Sequence, residues 1–306
     1  MFIDAMATIQ PETRVPLQDL LDTPEVKRRE LVGFERLFGH HSVQRFEDDV
    51  TTAARLGHLL DKLVDANMDL PIDAVIYAHA LPLQSAEAID TLAELCENHP
   101  ALGPDILRYE VDQFHCASGI WALRLAQTLL NTGLAKRVVI LIGDHLHQFD
   151  QAMRYVPGVT ALGDGFAGLI CAKSGSGPIV SQITLDQTSE FPHGALADRQ
   201  ELDAFFRQHS KSVSSLLQTL NHAPGELLLG HNINFPAWRG PWLSTYPKPE
   251  AVDLSLIGAR GHCFAADPFL LLAEHMASQG DLTPTTLLAV GLGSFFGACR
   301  IQPNIH

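Results

Sequence analysis

The two halves of this 306-residue chain end with the same order of predicted elements. In each half a strand leads into a glycine-x-glycine turn and then into another strand, at Gly163-Asp-Gly165 and at Gly291-Leu-Gly293. A repeated order of elements indicates an internal duplication, although the residues themselves differ. We therefore expect two related halves, residues 1–175 and 176–306, with the boundary in the glycine- and serine-rich stretch at 173–178.

Strand-like and helix-like segments alternate along the chain, which is typical of an α/β fold. Arg137–Gly143 is apolar on both faces, as expected of a strand in a parallel sheet that helices cover on both sides. Further strands are predicted within residues 73–79, 163–172, 179–186, 225–230 and 287–301, and helices within residues 86–96, 121–130, 202–220 and 268–279.

Composition excludes several classes of function. A formal net charge of −14 disfavours nonspecific binding to nucleic acid or to anionic membranes. No stretch approaches about 18 consecutive apolar residues, and the first residues lack the pattern of a secretory signal. The five cysteines are scattered and show no C-x-x-C spacing, which argues against a disulfide framework and against a zinc site. We expect an acidic cytoplasmic protein that binds no metal.

Cys116 is the candidate nucleophile. It lies between a short segment of alternating apolar residues and a helical pattern that runs on from Trp121. The start of a helix stabilises an anion, and the thiolate is the form of cysteine that attacks a carbonyl carbon. Its small neighbours Ala117, Ser118 and Gly119 leave room for an acyl group. The alternative is that Cys116, like the other cysteines, is a small buried apolar residue.

Three histidines, His115, His231 and His262, lie next to Cys116 or at the ends of predicted strands and helices. His231 directly follows an apolar strand, at a position where catalytic groups are common in α/β folds. His262 lies in a glycine turn ahead of a helix, and by itself it indicates a structural residue. His115 would point away from Cys116 in an extended segment, so we expect it to be a packing residue. Neither glycine turn matches a phosphate-binding motif.

Taken in order, several segments resemble the ketoacyl-acyl-carrier-protein synthase III family of thiolase-fold condensing enzymes. The specific matches are residues 111–122, 163–168, 230–234, 261–266 and 291–297, and residues 3–17 resemble the family's first strand and turn. The resemblance covers nearly the whole chain. It implies a thiolase-like five-layer αβαβα fold with two pseudo-symmetric halves, and a homodimer with active sites near the interface.

The same resemblance implies roles for individual residues. A thioester would acylate Cys116, and the backbone N–H groups of Cys116 and Leu292 would hold the oxyanion. His231 would act on the second substrate as hydrogen-bond donor or base, supported by His262. The substrate-binding residues would be Asn234, Gly291 and Gly293. No cofactor is implied, because the acyl thioester of an acyl carrier protein or of coenzyme A is the substrate.

The chain departs from the family at several positions. His262 stands where the family has an asparagine that polarises the extender thioester, so decarboxylative condensation is possible but is no longer the default. Leu31 and Glu35 stand where the family has the tryptophan and arginine that flank coenzyme A. A carrier protein or another thioester could serve instead of coenzyme A, although the basic residues for docking a carrier are few, with Arg239 and Lys248 the nearest.

Two functions follow from this sequence. The first is an acyl-thioester-dependent condensing enzyme or acyltransferase of fatty-acid, polyketide or other specialised metabolism, working through acyl-Cys116. The acceptor would be a malonyl-type carbanion, an amine or a hydroxyl. The second is a noncatalytic thiolase-fold subunit that supports an active paralogue in a heterodimer. The changes at Leu31, Glu35 and His262 favour the second function, whereas Cys116, His231 and the glycine turns favour the first.

Overall fold

The computed structural model describes residues 1–21, 28–47, 50–64, 71–81, 90–146, 151–188, 198–223, 225–239, 253–254, 257–279, 282–291 and 295–304. Its strands are β1 (Phe2–Ile9), β2 (Arg14–Pro16), β3 (Ser42–Gln44), β4 (Ala74–Ala78), β5 (Leu107–Val111), β6 (Arg137–Asp144), β7 (Tyr155–Val156), β8 (Thr160–Ala161), β9 (Gly165–Ala172), β10 (Ile179–Gln187), β11 (Leu227–Leu229), β12 (Thr285–Gly291) and β13 (Phe295–Gln302). Its α-helices are α1 (Leu17–Leu20), α2 (Arg28–Phe38), α3 (Thr52–Val64), α4 (Thr91–Asn98), α5 (Ser118–Thr132), α6 (Arg199–Thr219), α7 (Phe235–Arg239), α8 (Ile257–Arg260) and α9 (Asp267–Gln279).

The strand order shows the duplication directly. Nine strands of the described chain are joined in the order β11-β12-β13-β10-β1-β9-β6-β4-β5. From the centre outward, β1-β9-β6-β4 and β10-β13-β12-β11 follow the same pattern, with two antiparallel pairs and then a parallel pair. The first strand of each half pairs with the other at Phe2 and Ile179, so the two sheets meet along β1 and β10.

Helices cover the two sheets and separate them. The core between the sheets contains residues of α5 and α9 together with strand residues from both halves. A second core lies between α3, α4 and the first sheet, and a third lies between α6, α7 and the second sheet. The result is the predicted five-layer αβαβα arrangement with two pseudo-symmetric halves, which confirms the fold class.

The outer layer of the first half shows why the chain folds this way. In α3 the residues Leu56, Leu59, Leu60 and Leu63 are fully buried, with the spacing of one helix face. This helix is absent from the predicted elements, although its leucine spacing is typical of a helix with one buried face. On the other face of the same sheet, α5 packs with residues such as Ile120 and Leu123. β6 is therefore covered on both sides, as its apolar run predicts.

A short 3-10 turn precedes each central helix. One spans His115–Ala117 ahead of α5, and the other spans Phe264–Ala266 ahead of α9. The first residue of each turn has a positive φ, +49° at His115 and +51° at Phe264. A positive φ costs energy for any residue with a Cβ atom and is concentrated at functional sites. Cys116 is the second residue of the first turn, and Ala265 is the second residue of the other turn. Ala265 is therefore the counterpart of Cys116 in the second half.

Most predicted elements are confirmed within a few residues. The strands at 73–79, 137–143, 179–186 and 225–230 are β4, β6, β10 and β11, and the helix at 268–279 is α9. The helix expected at 86–96 is α4, with residues 86–89 outside the described chain. No helix in the described ranges is both long and apolar enough to cross a bilayer. All five cysteines lie in those ranges, and each is a free thiol.

Candidate active site

Cys116 lies where the chain turns from the first sheet into the central helix α5. It is the second residue of the 3-10 turn, and its side chain is 7% exposed. Its backbone N–H belongs to a first helical turn, where N–H groups have no partner within the helix. The extended segment expected at His115 is wrong, because the chain forms a tight 3-10 turn there. The His115 ring is exposed and contacts the ring of Phe295, with the centroids 5.8 Å apart.

His262 is the group that meets the thiol. Its Nε2 lies 3.2 Å from the Sγ of Cys116, and the imidazole is buried. Its backbone is fixed on both sides, because His262 N donates to Ala161 O at 2.8 Å and Gly163 N donates to His262 O at 3.0 Å. The residue before it, Gly261, has a φ of +80°, and a Cβ atom there would lie 2.9 Å from Ala161 O. Only glycine fits this turn without strain.

Asp267, the first residue of α9, completes a triad with Cys116 and His262, and it is not among the predicted site residues. Its Oδ2 accepts a hydrogen bond from Nδ1 of His262 and another from Asn232 N at 2.6 Å. Its Oδ1 accepts from Cys263 N at 2.8 Å. The carboxylate is fully buried, but these donors compensate for its loss of water. The His262 ring is thereby fixed with Nδ1 toward Asp267 and Nε2 toward Cys116.

The charge of His262 follows from this environment. Burial by itself lowers the pKa of His262, but the neighbouring charges of Asp267 and Cys116 together raise this pKa to about 10. At neutral pH His262 is therefore an imidazolium, which donates from Nδ1 to the carboxylate and from Nε2 toward sulfur. A cysteine beside an imidazolium is the arrangement that stabilises a thiolate.

His231 lies in the same buried region but has different partners. Its Nε2 is 3.1 Å from Nε2 of His209, and its Nδ1 accepts a hydrogen bond from Ile233 N at 3.4 Å. Burial lowers the pKa of His231 well below its usual value, and the neighbouring histidines His209 and His262 lower this pKa further. His231 is thus neutral, and each of its ring nitrogens already has a partner within the protein. Its action on a second substrate stays a prediction.

Four further residues are predicted to bind substrate or to hold the oxyanion, and the structure describes two of them, Asn234 and Gly291. Asn234 is buried, with Nδ2 donating to Val159 O at 2.7 Å and Oδ1 accepting from Ala237 N at 2.8 Å. These bonds anchor the start of α7, and substrate contact by Asn234 stays a prediction. Gly291 ends β12 beside the nucleophile, since a Cβ atom there would lie 2.7 Å from Phe114 O. Leu292 and Gly293 lie outside the described residues.

The surroundings of the thiol are apolar. Leu146 and Phe264 are buried in one cluster with Cys116, and Ala80, Leu81 and Leu162 pack against that cluster. Leu31, the counterpart of the coenzyme A-binding tryptophan in the resemblance, is instead a core residue of α2 with 8% exposure. Lys248 lies outside the described chain, and so does the side chain of Arg239. In the described residues no group of histidine, cysteine and carboxylate side chains could hold a metal ion.

The fold and the site together define a thiolase-like αβαβα protein with a buried cysteine–histidine–aspartate triad between its two halves. Comparison with solved structures agrees with the fold. The acyltransferase ChlB3 is 16% identical with a TM-score of 0.81, over 99% of this chain and 97% of that one. The 3-oxoacyl-[acyl-carrier-protein] synthase III of Aquifex aeolicus VF5 is 17% identical with a TM-score of 0.79, over 98% of this chain and 99% of that one.

A third similar structure is a cysteine-to-serine variant of Xanthomonas campestris OleA with bound lauric acid and lauroyl-CoA. It is 16% identical with a TM-score of 0.78, over 98% of each chain. These likenesses confirm the thiolase-like fold predicted from the ordered motifs. No protein-family model and no curated protein sequence matches the chain.

Proposed function

We propose that this protein is an acyl-thioester-dependent acyltransferase that works through an acyl-Cys116 intermediate. The observation that carries the proposal is the triad, with the Cys116 sulfur 3.2 Å from Nε2 of His262 and Asp267 bonded to Nδ1 of the same ring. A nucleophile, a base and a group that orients the base form the arrangement of covalent acyl transfer. The apolar surroundings of the thiol suit an acyl chain.

In the first half-reaction the Cys116 thiolate attacks the thioester carbonyl carbon. The carbonyl oxygen becomes an oxyanion, which the backbone N–H groups of Cys116 and Leu292 would stabilise. The position of Gly291 against Phe114 O supports this role, because it brings the end of β12 beside the Cys116 turn. The C–S bond of the donor then breaks. The His262 imidazolium gives its proton to the departing thiolate, which leaves acyl-Cys116 and neutral His262.

In the second half-reaction neutral His262 can act as a base. It removes a proton from an amine or hydroxyl acceptor as the acceptor attacks the acyl carbon. The intermediate collapses, the bond to Cys116 breaks, and the thiolate and imidazolium are restored. In the resemblance, condensation uses His231 and the residue at position 262 as hydrogen-bond donors that polarise the extender thioester. Both ring nitrogens of His231 have protein partners, and this favours transfer to an N–H or O–H acceptor over condensation.

An acyl carrier protein or coenzyme A would deliver the acyl group. Because Leu31 is buried in the core and Glu35 is an acid, the counterparts of the coenzyme A-flanking residues give little support to nucleotide binding. This favours the carrier protein. We also propose a homodimer. The alternative of a noncatalytic supporting subunit is less well supported, because an inactive partner would not need the complete triad.

Intact-mass measurement tests the acyl-enzyme. Incubation with a panel of acyl thioesters, on carrier protein and on coenzyme A, should add one acyl mass that Cys116→Ala abolishes. Cys96→Ala provides the matched control, since Cys96 is a partly exposed thiol on α4 and should leave the adduct unchanged. If no thioester of the panel gives an adduct, or if the adduct persists in Cys116→Ala, the proposal is wrong.

Product analysis tests the acceptor. The acyl-enzyme should transfer its acyl group to amines or alcohols without releasing carbon dioxide. Release of carbon dioxide from malonyl thioesters, in step with formation of a ketoacyl product, would assign the protein to condensation instead. Cys116→Ala serves as the control for both activities, because each needs the acyl-enzyme.

A further inference from the structure

A second histidine stands behind His231, on the side of the outer helix α6. His209 is 1% exposed, and its Nε2 lies 3.1 Å from Nε2 of His231. The two rings cross at 73° with their centroids 5.4 Å apart, which suits an in-plane hydrogen bond rather than stacking. Two imidazole nitrogens at this distance require that one carries a proton and the other a lone pair.

The other nitrogen of His231 decides which ring donates. Ile233 N–H points at Nδ1 of His231 with an N···N distance of 3.4 Å, so Nδ1 presents its lone pair. A neutral His231 must then carry its single proton on Nε2, and this N–H donates to Nε2 of His209. It follows that His209 holds its own proton on Nδ1. Each step uses only the rule that a neutral imidazole has one donor and one acceptor nitrogen.

Both rings are neutral at physiological pH. Burial lowers the pKa of His209 to about 4. The His262 imidazolium nearby makes a second positive charge at His231 unfavourable. The backbone of His231 is also held in place, because Trp238 Nε1 donates to His231 O at 2.9 Å and a Cβ atom on Gly230 would overlap the Trp238 ring.

We propose that His209 is a positioning residue that holds His231 as the neutral Nε2–H tautomer. In this tautomer the Nε2 proton of His231 is directed at His209 and its Nδ1 lone pair accepts from Ile233 N–H, so neither nitrogen is available to accept a proton from the acceptor. The base for the acceptor must then be His262. This consequence rests on the proposed function. The consequence also narrows the class of acceptor in the proposed function. An acceptor whose base is His262 must carry a removable proton, as amines and alcohols do.

Nuclear magnetic resonance tests the tautomer without any substrate. Long-range ¹H–¹⁵N correlation spectra of protein labelled with ¹⁵N-histidine distinguish protonated from unprotonated ring nitrogens, and His231→Gln assigns the His231 signals. In the wild-type protein at pH 7 the Nε2 of His231 should be protonated and its Nδ1 unprotonated. An unprotonated Nε2, or a doubly protonated ring, would overturn the proposal.

Two variants separate positioning from simple packing. His209→Phe keeps an aromatic ring but removes the acceptor, which leaves the buried N–H of His231 without its partner. His209→Gln keeps an acceptor, because the amide oxygen can receive the same hydrogen bond. In His209→Phe the His231 signals should shift toward a tautomer mixture, and in His209→Gln the wild-type pattern should be retained. If both variants give the same spectrum, His209 only fills space and the proposal is wrong.

Kinetics of the two half-reactions give the functional result. In His209→Phe the Nε2 of His231 loses its partner and can present a lone pair beside the site, where His231 would compete with His262 as base. We therefore expect the ratio of the rate of acyl transfer from Cys116 to the rate of Cys116 acylation to change about tenfold or more in His209→Phe and to return to the wild-type value in His209→Gln. An unchanged ratio in His209→Phe would contradict the positioning role. Failure of the proposed function looks different, since no acyl-Cys116 would form even in the wild-type protein while the tautomer assignment could still hold.

Discussion

At the scale of single residues, Asp267 fixes the orientation of the His262 ring, which is the base in the proposed mechanism. Its carboxylate faces donors, namely Nδ1 of His262, the backbone N–H groups of Asn232 and Cys263, and the side-chain Nδ2 of Asn232. In Asp267→Asn an amide NH₂ would face at least one of these donors, and the charge that holds the imidazolium would be lost. We expect acylation of Cys116 to slow by about 10²-fold or more. The measurement is adduct formation followed by intact mass over time.

The control for this variant is Asp61→Asn. Asp61 pairs with His99 on the protein surface, where its side chain is 63% exposed, so the same chemical change should leave acylation unchanged. An Asp267→Asn protein that folds and acylates at the wild-type rate would show that the carboxylate does not orient the base.

The raised pKa of His262 also predicts how stability depends on pH. The pKa rises from 6.5 in the unfolded chain to about 10 in the folded protein, so the folded protein binds the proton more tightly. The resulting stabilisation is complete below pH 6.5 and is lost as pH rises through about 10. The free energy of unfolding of the wild-type protein should therefore fall relative to that of His262→Gln between pH 7 and pH 10. Urea titrations at several pH values measure this difference, and a constant or growing difference would contradict the assignment.

At the scale of elements, α3 packs on the outer face of the first sheet and contributes no residue to the described apolar cluster around Cys116. Leu59 is fully buried against that sheet, and truncation to alanine leaves a cavity. We expect Leu59→Ala to lower the free energy of unfolding by about 2–5 kcal/mol while acylation by the folded protein stays unchanged. Lys62→Ala on the exposed face of the same helix should change stability by at most about 0.5 kcal/mol. Chemical denaturation tests both values.

The elements also show how far the sequence could predict this molecule. Strand β6 follows from its unbroken apolar run, and the junction ahead of α5 points to Cys116. Asp267 could not be found in this way, because a 3-10 turn with a positive φ at Phe264 turns its carboxylate back toward His262, five residues earlier. His209 meets His231 across 22 residues, a contact that only the packing of α6 against the second sheet creates. The periodicity of apolar residues predicts which face of a helix or strand is buried. It does not predict which buried polar side chains contact each other in the folded protein.

At the scale of the whole molecule, the first sheet ends in β5, which is its outermost strand in the described chain. The alternate residues Leu107 and Val111 bond to the neighbouring β4, since Leu107 N donates to Asp73 O and Val111 O accepts from His79 N. The backbone N–H of Arg108 between them therefore points away from β4. The outward N–H and C=O groups of an edge strand can form hydrogen bonds with a strand of another chain. In the proposed homodimer, a second copy of the chain would cover the edge of β5.

This edge gives a sharp test of the proposed homodimer. Arg108→Pro removes an outward N–H and leaves the bonds to β4 in place, so it should block pairing at the edge without unfolding the sheet. Light scattering after size-exclusion chromatography should give twice the mass of the chain for the wild-type protein and a single chain for Arg108→Pro. Arg108→Ala keeps the N–H and should remain a dimer. A wild-type monomer would exclude the homodimer, and a dimeric Arg108→Pro with native stability would place its interface away from β5.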